Sequence, residues 1–338
     1  MEVMLFVSIA YAFVFLLLTV SLFFPERKPG KPLIGRLSVC IPFRNEITNL
    51  ETNCLSVKAL DDEQVDVIYA DDHSDDGSAQ ICVDHGFTVV AVENGNGKTA
   101  ALRTASLEAK NDLLVFTDAD CSVPPSWLWE FRHHFSEDIC LYIGTIAVRR
   151  SPIMTLDFNC LIGAAAALYR LGIPSSCPGA NIAVTKEVFL RFTAYSPNQH
   201  AADDAALFHY IHTVEKKRIR FIFSPFHTVT TEPYDSLGAF FSQRLRWVKG
   251  GYRLDPLLFT YLSFILCTHF LFFIFPMWLW VPVLCSLVFS AATAIKMRQY
   301  RLLPLTPLYG IFFTAYTTLT GILFPFMGRC VRWKGRAL

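Results

Sequence analysis

Apolar residues gather at the two ends of this chain, while the middle alternates short β-rich runs with helix-patterned stretches. Residues 3–24 form a run of 22 positions without a charge, and roughly 20 suffice to cross a bilayer as a helix. A signal peptide would start basic and close on a small-residue cleavage site. Here the start is acidic (Glu2), and Arg27, Lys28, Lys31 and Arg36 follow the run. The segment reads as a transmembrane anchor, and those charges place the next domain on the cytoplasmic side. Residues 256–295 contain no Lys, Arg, Asp or Glu and are predicted to cross twice, turning near Pro276. Lys296, Arg298 and Arg301 then lie inside. Residues 302–327 are apolar but carry Pro304, Pro307 and Pro325. A single crossing there would put Arg329, Arg332, Lys334 and Arg336 outside, against the positive-inside tendency. A re-entrant or interfacial hairpin is therefore expected, for three or four crossings in all.

Between residues 36 and 252 the pattern predicts strands at 37–41, 65–69, 88–92, 113–116 and 141–148. Helices are predicted between them at 47–60, 76–84, 98–109 and 125–135. Strands alternating with helices imply βαβ units and a mostly parallel sheet. The apolar run 154–171 is interrupted by Asp157, Asn159 and Arg170 and reads as a buried or interfacial helix of this domain. The organisation expected is an anchor at 1–24, a linker at 25–35, an α/β domain at 36–252 and a membrane region at 253–338.

Charge and cysteine content narrow the class. The 338 residues carry a formal net charge of +1, without the basic footprint of a nucleic-acid binder. Ten cysteines form no CxxC pair, so a metal or disulfide framework is not indicated. The chain has no Asn-x-Ser/Thr sequon, in keeping with a domain that never meets a glycosylating lumen.

In parallel sheets ligands bind beyond the carboxyl ends of the strands, and the segments following these strands are acidic and polar. Asp118-Ala119-Asp120 follows the run 113–116, and two carboxylates leaving a strand end can converge on Mg²⁺ or Mn²⁺ beside phosphate oxygens. Alone, an Asp-x-Asp is also a solvated turn. Asp71-Asp72 follows another strand and could accept from a base or a ribose, while Asp75 and Asp76 suit helix capping. Gly95-Asn96-Gly97-Lys98-Thr99 imitates a phosphate loop, but the Walker spacing needs a glycine where Val92 stands. A glycine turn opening a helix at Lys98 still suits a diphosphate. Asp203-Asp204 begins a predicted helix after Ser196, Asn198, Gln199 and His200, and is either a general base or a cap. Gln243, Arg246 and Trp247 share one helix face, as phosphate and stacking groups or as an interfacial belt.

Taken in order, Pro42 with Asn45-Glu46, Asp71-Asp72, Lys98, Asp118-Ala119-Asp120, Gly179-Ala180-Asn181, Asp203-Asp204 and Gln243-x-x-Arg246-Trp247 resemble the family-two glycosyltransferases. These are inverting enzymes with the GT-A fold, a Rossmann-like α/β domain, here flanked by transmembrane helices. The resemblance covers residues 36–252. It implies donor binding by Pro42, Asn45, Glu46, Asp71, Asp72 (at uracil or uridine), Lys98, Asp118, Gln243, Arg246 and Trp247. It implies metal ligation by Asp120 with Asp118, and a sugar and acceptor region at Gly179, Ala180, Asn181 and Asp203. Asp204 would be the catalytic base. His73 replaces the small residue usual after the acidic pair, and Asp203 stands where Glu is typical.

The expected reaction is one metal-dependent displacement, with Mg²⁺ or Mn²⁺, carrying a sugar from a UDP-sugar to a membrane-associated acceptor. Few crossings favour a lipid acceptor over a processive polysaccharide synthase. A catalytically silent scaffold or nucleotide-sugar sensor is the reading from another class. The compact architecture suggests a bacterial inner membrane with the catalytic domain in the cytoplasm.

Overall fold

In chain order the elements are α1 (Glu2–Ser21), β1 (Leu37–Phe43), α2 (Leu50–Lys58), β2 (Asp66–Asp71), α3 (Ser78–Asp84), β3 (Thr88–Ala91), α4 (Lys98–Glu108) and β4 (Leu113–Phe116). There follow β5 (Cys121–Ser122), α5 (Trp127–His134), β6 (Ile139–Ile143), β7 (Ile146–Val148), α6 (Pro152–Arg170), β8 (Ile182–Thr185), α7 (Lys186–Tyr195) and α8 (Asp203–Tyr210). The chain continues through β9 (Arg218–Phe221), β10 (Val229–Thr231), α9 (Leu237–Gly251), α10 (Pro256–Ile274), α11 (Trp280–Lys296) and α12 (Thr306–Met327), then β11 (Arg332–Trp333) and β12 (Arg336–Ala337). This computed structural model describes residues 1–25, 30–31, 35–61, 65–176, 178–195, 203–251, 255–327, 332–333 and 336–337. Arg27, Lys28, the loop residues Ser196, Asn198, Gln199 and His200, and Arg329 and Lys334 lie outside them.

The elements form two compact units, an α/β unit (27–149 and 177–232) and a helical unit (1–26, 150–176 and 233–338). In the α/β unit a seven-stranded sheet has the order β3-β2-β1-β4-β8-β6-β9. β1 pairs in parallel with both β2 and β4, and β8 runs antiparallel to β4 and β6. One strand of seven is therefore reversed. Every residue of β1 and of β4 is buried, which is why both read as unbroken apolar runs. The chain steps outward from β1 to β3 and then returns to the other side of β1. That reversal puts a topological switch point between the ends of β1 and β4.

The strand predicted over 141–148 is split instead. β6 belongs to the large sheet, and β7 joins β5 and β10 in a separate three-stranded sheet. The break falls at Gly144, where an added Cβ would stand 2.3 Å from Asn181 Nδ2. Backbone packed that tightly against a side-chain amide admits only glycine.

In the helical unit, α1 buries Met4, Ser8, Tyr11, Phe15 and Leu18 at helical spacing and exposes Val3, Phe6, Ile9, Phe13 and Leu16. An apolar outward face fits lipid as the solvent. Among the described residues, five helices are long and apolar enough to cross a membrane: Glu2–Ser21, Pro152–Arg170, Pro256–Ile274, Pro276–Lys296 and Tyr300–Phe326. Two differ from expectation. The run 154–171 forms α6, which is mostly buried, packs on α1, α11 and α12 and belongs to the helical unit. The segment expected as a hairpin is a continuous 22-residue helix, α12. Its prolines sit where they interrupt little. Pro304 is in the preceding 3₁₀ turn and Pro307 in the first turn, where no helical hydrogen bond is lost, and Pro325 is in the last turn.

Candidate active site

β2, β1 and β4 lie side by side, so the segments leaving their carboxyl ends share one rim of the sheet. The ladder between β1 and β4 ends at the pair Cys40–Phe116. Pro42 lies beyond it, buried within β1, so it shapes the rim from inside the strand. Asn45 takes a left-handed conformation (φ 51°), tolerable for Asn, and this turns the chain toward the loop after β2. Asn45 N donates to Ser74 Oγ (3.0 Å), Asp75 N donates to Asn45 Oδ1 (3.0 Å), and Glu46 N donates to Ser78 Oγ (2.8 Å). Two loops are thereby laced into one wall.

Asp71 closes a local turn by accepting from Ser74 N at 2.9 Å. Asp72 is buried, and its Oδ2 accepts from Gly97 N at 3.0 Å. That bond pins the glycine turn that launches α4. Gly97 has φ 91°, a region glycine enters without strain. Lys98 is the first residue of α4. Its Nζ reaches Asp118 Oδ1 at 2.7 Å and Asp204 Oδ2 at 3.6 Å. Residues 98, 118 and 204 thus meet at one point. Gly179 N also donates to Asp204 Oδ2, at 3.1 Å. Asp203 opens α8, and only its backbone is described.

The Asp118–Asp120 turn is held from beneath by Asn53, which the sequence did not single out. Asn53 is fully buried on α2. Its Nδ2 donates to the carbonyls of Asp118 (3.3 Å) and Cys121 (2.7 Å), and Tyr69 OH donates to its Oδ1 at 2.7 Å. The Asp120 carboxyl is pushed up to about 6 by burial first, then by the charges of Asp118 and Glu46. Among the described residues no three His, Cys, Asp or Glu side chains cluster to hold a metal alone. Two hard carboxylates in a crowded negative field suit a divalent cation completed by phosphate oxygens, so the residues present fit Mg²⁺ or Mn²⁺.

The Gly179-Ala180-Asn181 segment departs from its expected role at one residue. Asn181 is fully buried, its Oδ1 accepts from Trp127 Nε1 (2.9 Å), and its Nδ2 donates to the carbonyls of Thr145 and His227 (2.8 Å each). Both amide hydrogens are committed inward, so Asn181 braces the segment and does not face a sugar. Ala180 is buried as well, which leaves Gly179 as the member touching a site side chain. Gln243, Arg246 and Trp247 lie on α9, in the helical unit. Gln243 Oε1 accepts from Tyr234 OH and from Arg244 Nη1.

Residues 38–154 match the family described as Glycosyl transferase family 2. The poly-beta-1,6-N-acetyl-D-glucosamine synthase of Staphylococcus aureus is 23% identical over 219 residues, 62% of this chain and 52% of the relative. That of Staphylococcus epidermidis is 22% identical over 233 residues, 64% and 54%. The chain thus spans about half the length of the curated relatives it matches. A mannosyltransferase from Pyrobaculum calidifontis, solved with GDP-Man and Mn²⁺, is similar in fold: TM-score 0.61, 16% identity, 94% of this chain and 96% of that one.

Proposed function

Because this chain is a glycosyltransferase of family 2 built on the GT-A fold, we propose that it moves a sugar from a UDP-sugar, with inversion, to a hydroxyl of a membrane-associated lipid. The observation that carries this reading is Lys98 standing between Asp118 and Asp204, so that the residues proposed for donor and acceptor chemistry are within reach of one cation. Asp204 takes the proton from the acceptor hydroxyl, and the Gly179 N–H orients its carboxylate. Lys98 offers its cation to the donor diphosphate, and Asp72 holds the turn that presents it. A divalent cation on Asp120 and Asp118 would supply Lewis-acid stabilisation of the departing nucleoside diphosphate. Donor-diphosphate binding and lining of the acceptor site are the roles that the motif resemblance implies for Gln243, Arg246 and Trp247 together. The α/β unit works on the cytoplasmic face, supported by Lys296, Arg298 and Arg301 following the α11 run.

A growing glycan is the second acceptor reading, and the polymer-synthase name of the staphylococcal relatives favours it. Purified protein in membranes, given labelled nucleotide-sugars with and without Mn²⁺ or Mg²⁺, tests both. Metal-dependent turnover is expected. A single-sugar lipid product favours the first acceptor and a polymer the second. Asp204→Asn should lose transfer and keep donor binding. Loss of both together would give Asp204 a structural role and sink the mechanism.

A further inference from the structure

Arg244 lies between Gln243 and Trp247 on α9 and belongs to neither donor nor acceptor role above. It is buried, 4% exposed, and its Nη2 is paired with Asp157 of α6, itself fully buried. Asp157 Oδ1 also accepts from the hydroxyls of Tyr316 (2.7 Å) and Tyr309 (3.1 Å) on α12. Toward its own helix, Arg244 Nη1 donates to Gln243 Oε1 at 2.8 Å. The Trp247 ring centroid lies 4.5 Å from Arg244 Cζ and that of Phe240 4.4 Å, while Phe158 meets Trp247 edge-on at 5.9 Å.

Stability does not explain such a pair. Withdrawing two charges from water is costly, and apolar side chains of similar volume are commonly as stable or more so. A planar guanidinium supplies direction instead, because its fork holds several partners in fixed relative geometry. Here one guanidinium faces the Gln243 amide, the Trp247 ring and the Asp157 carboxylate together. We infer that Asp157 and Arg244 are positioning residues that fix the orientation of Gln243 and Trp247 for sugar transfer. The inference rests on the roles proposed for those two residues.

The test replaces the pair by apolar side chains of similar size, Asp157→Leu with Arg244→Met, so that no lone charge is left buried. Arg244→Lys, which keeps the charge and loses the fork, serves as the second variant should the first not fold. Both are expected to lower kcat/KM for the nucleotide-sugar by about 30-fold, while Mn²⁺ affinity stays within about twofold, since Asp118 and Asp120 are on other elements. In parallel, ¹⁹F NMR of 5-fluorotryptophan-labelled protein, with Trp247 assigned from Trp247→Phe, should show the Trp247 resonance move while those of Trp127 and Trp129 stay. A folded variant with wild-type kcat/KM, or with an unmoved Trp247 resonance, overturns the inference. Wild-type protein without any turnover would sink the transferase reading instead, and the NMR arm would still decide whether the pair holds Trp247.

Discussion

Gly179 and Asp204 are held against one another: the Gly179 N–H donates to Asp204 Oδ2, and a Cβ on Gly179 would stand 1.9 Å from Asp204 Oδ1. No side chain fits that gap without moving the carboxylate. The constraint is steric, since Gly179 does not take a left-handed conformation. Gly179→Ala is therefore expected to displace Asp204 and lower kcat by about 100-fold, with a thermal midpoint close to wild type. Steady-state kinetics beside a melting curve checks this. Undiminished kcat would mean that the carboxylate can shift without consequence.

A second prediction concerns support beneath the acidic turn. Asn53 binds the carbonyls of Asp118 and Cys121 on one side and Tyr69 OH on the other. Asn53→Ala removes all three bonds in a fully buried position. Orienting partners of this kind commonly contribute about 10–100-fold to metal affinity. Mn²⁺ titration of the variant should show a loss of about 10-fold. Tyr69→Phe keeps both bonds to the turn and should lose far less.

These two residues show where sequence reasoning reaches its end. The β1, β2 and β4 strands were legible because strands buried on both faces are continuous apolar runs, and the acidic residues at their ends stood out against them. Asn53 gave no signal, because a polar residue on a helix face is ordinary until its partners, 65 and 68 residues away, are known. Asn181 was singled out by its motif, yet its amide is bonded to Trp127, Thr145 and His227, since a motif names a residue without saying which way it points. Arg244 was passed over in favour of Arg246, because the Asp157 that claims it is 87 residues distant. The split of β6 from β7 depends on Gly144 meeting Asn181, another contact between distant positions.

Acid should destabilise the α/β unit through His227. The residue is fully buried, its Nδ1 donates to the Trp127 carbonyl at 2.9 Å, and burial lowers its pKa to about 3 from 6.5. Above pH 6.5 the ring is neutral in folded and unfolded chains alike, and no pH dependence arises from it. Below 6.5 the unfolded chain takes up a proton that the folded one refuses, so stability falls by about 1.4 kcal/mol per pH unit down to about pH 3. Because Asp120 supplies an opposing slope below pH 6, this one is read as the difference between wild type and His227→Gln in melting curves from pH 6.5 to 5. His227→Gln, less stable at pH 7.5, should lose the part of the slope that histidine supplies.

Asp120 makes the opposite prediction, and a cation should reverse it. Its carboxyl is raised from 3.8 to about 6 by burial and by the charges of Asp118 and Glu46. Between those values the folded chain holds a proton that the unfolded chain releases, so ionising Asp120 costs the metal-free protein stability as pH rises through 6. At pH 7.5 the full penalty applies. A divalent cation binding the ionised pair offsets it, and below pH 6 the proton competes for the same oxygens. Saturating Mn²⁺ should therefore raise the thermal midpoint at pH 7.5 by several degrees and at pH 5 by little. Asp120→Asn removes the ionisation, so the metal-free variant should melt at or above wild type at pH 7.5, show no Mn²⁺ response, and lack transfer. A variant that still gained stability from Mn²⁺ would place the cation elsewhere, because Asp118 alone offers one carboxylate already bound by Lys98.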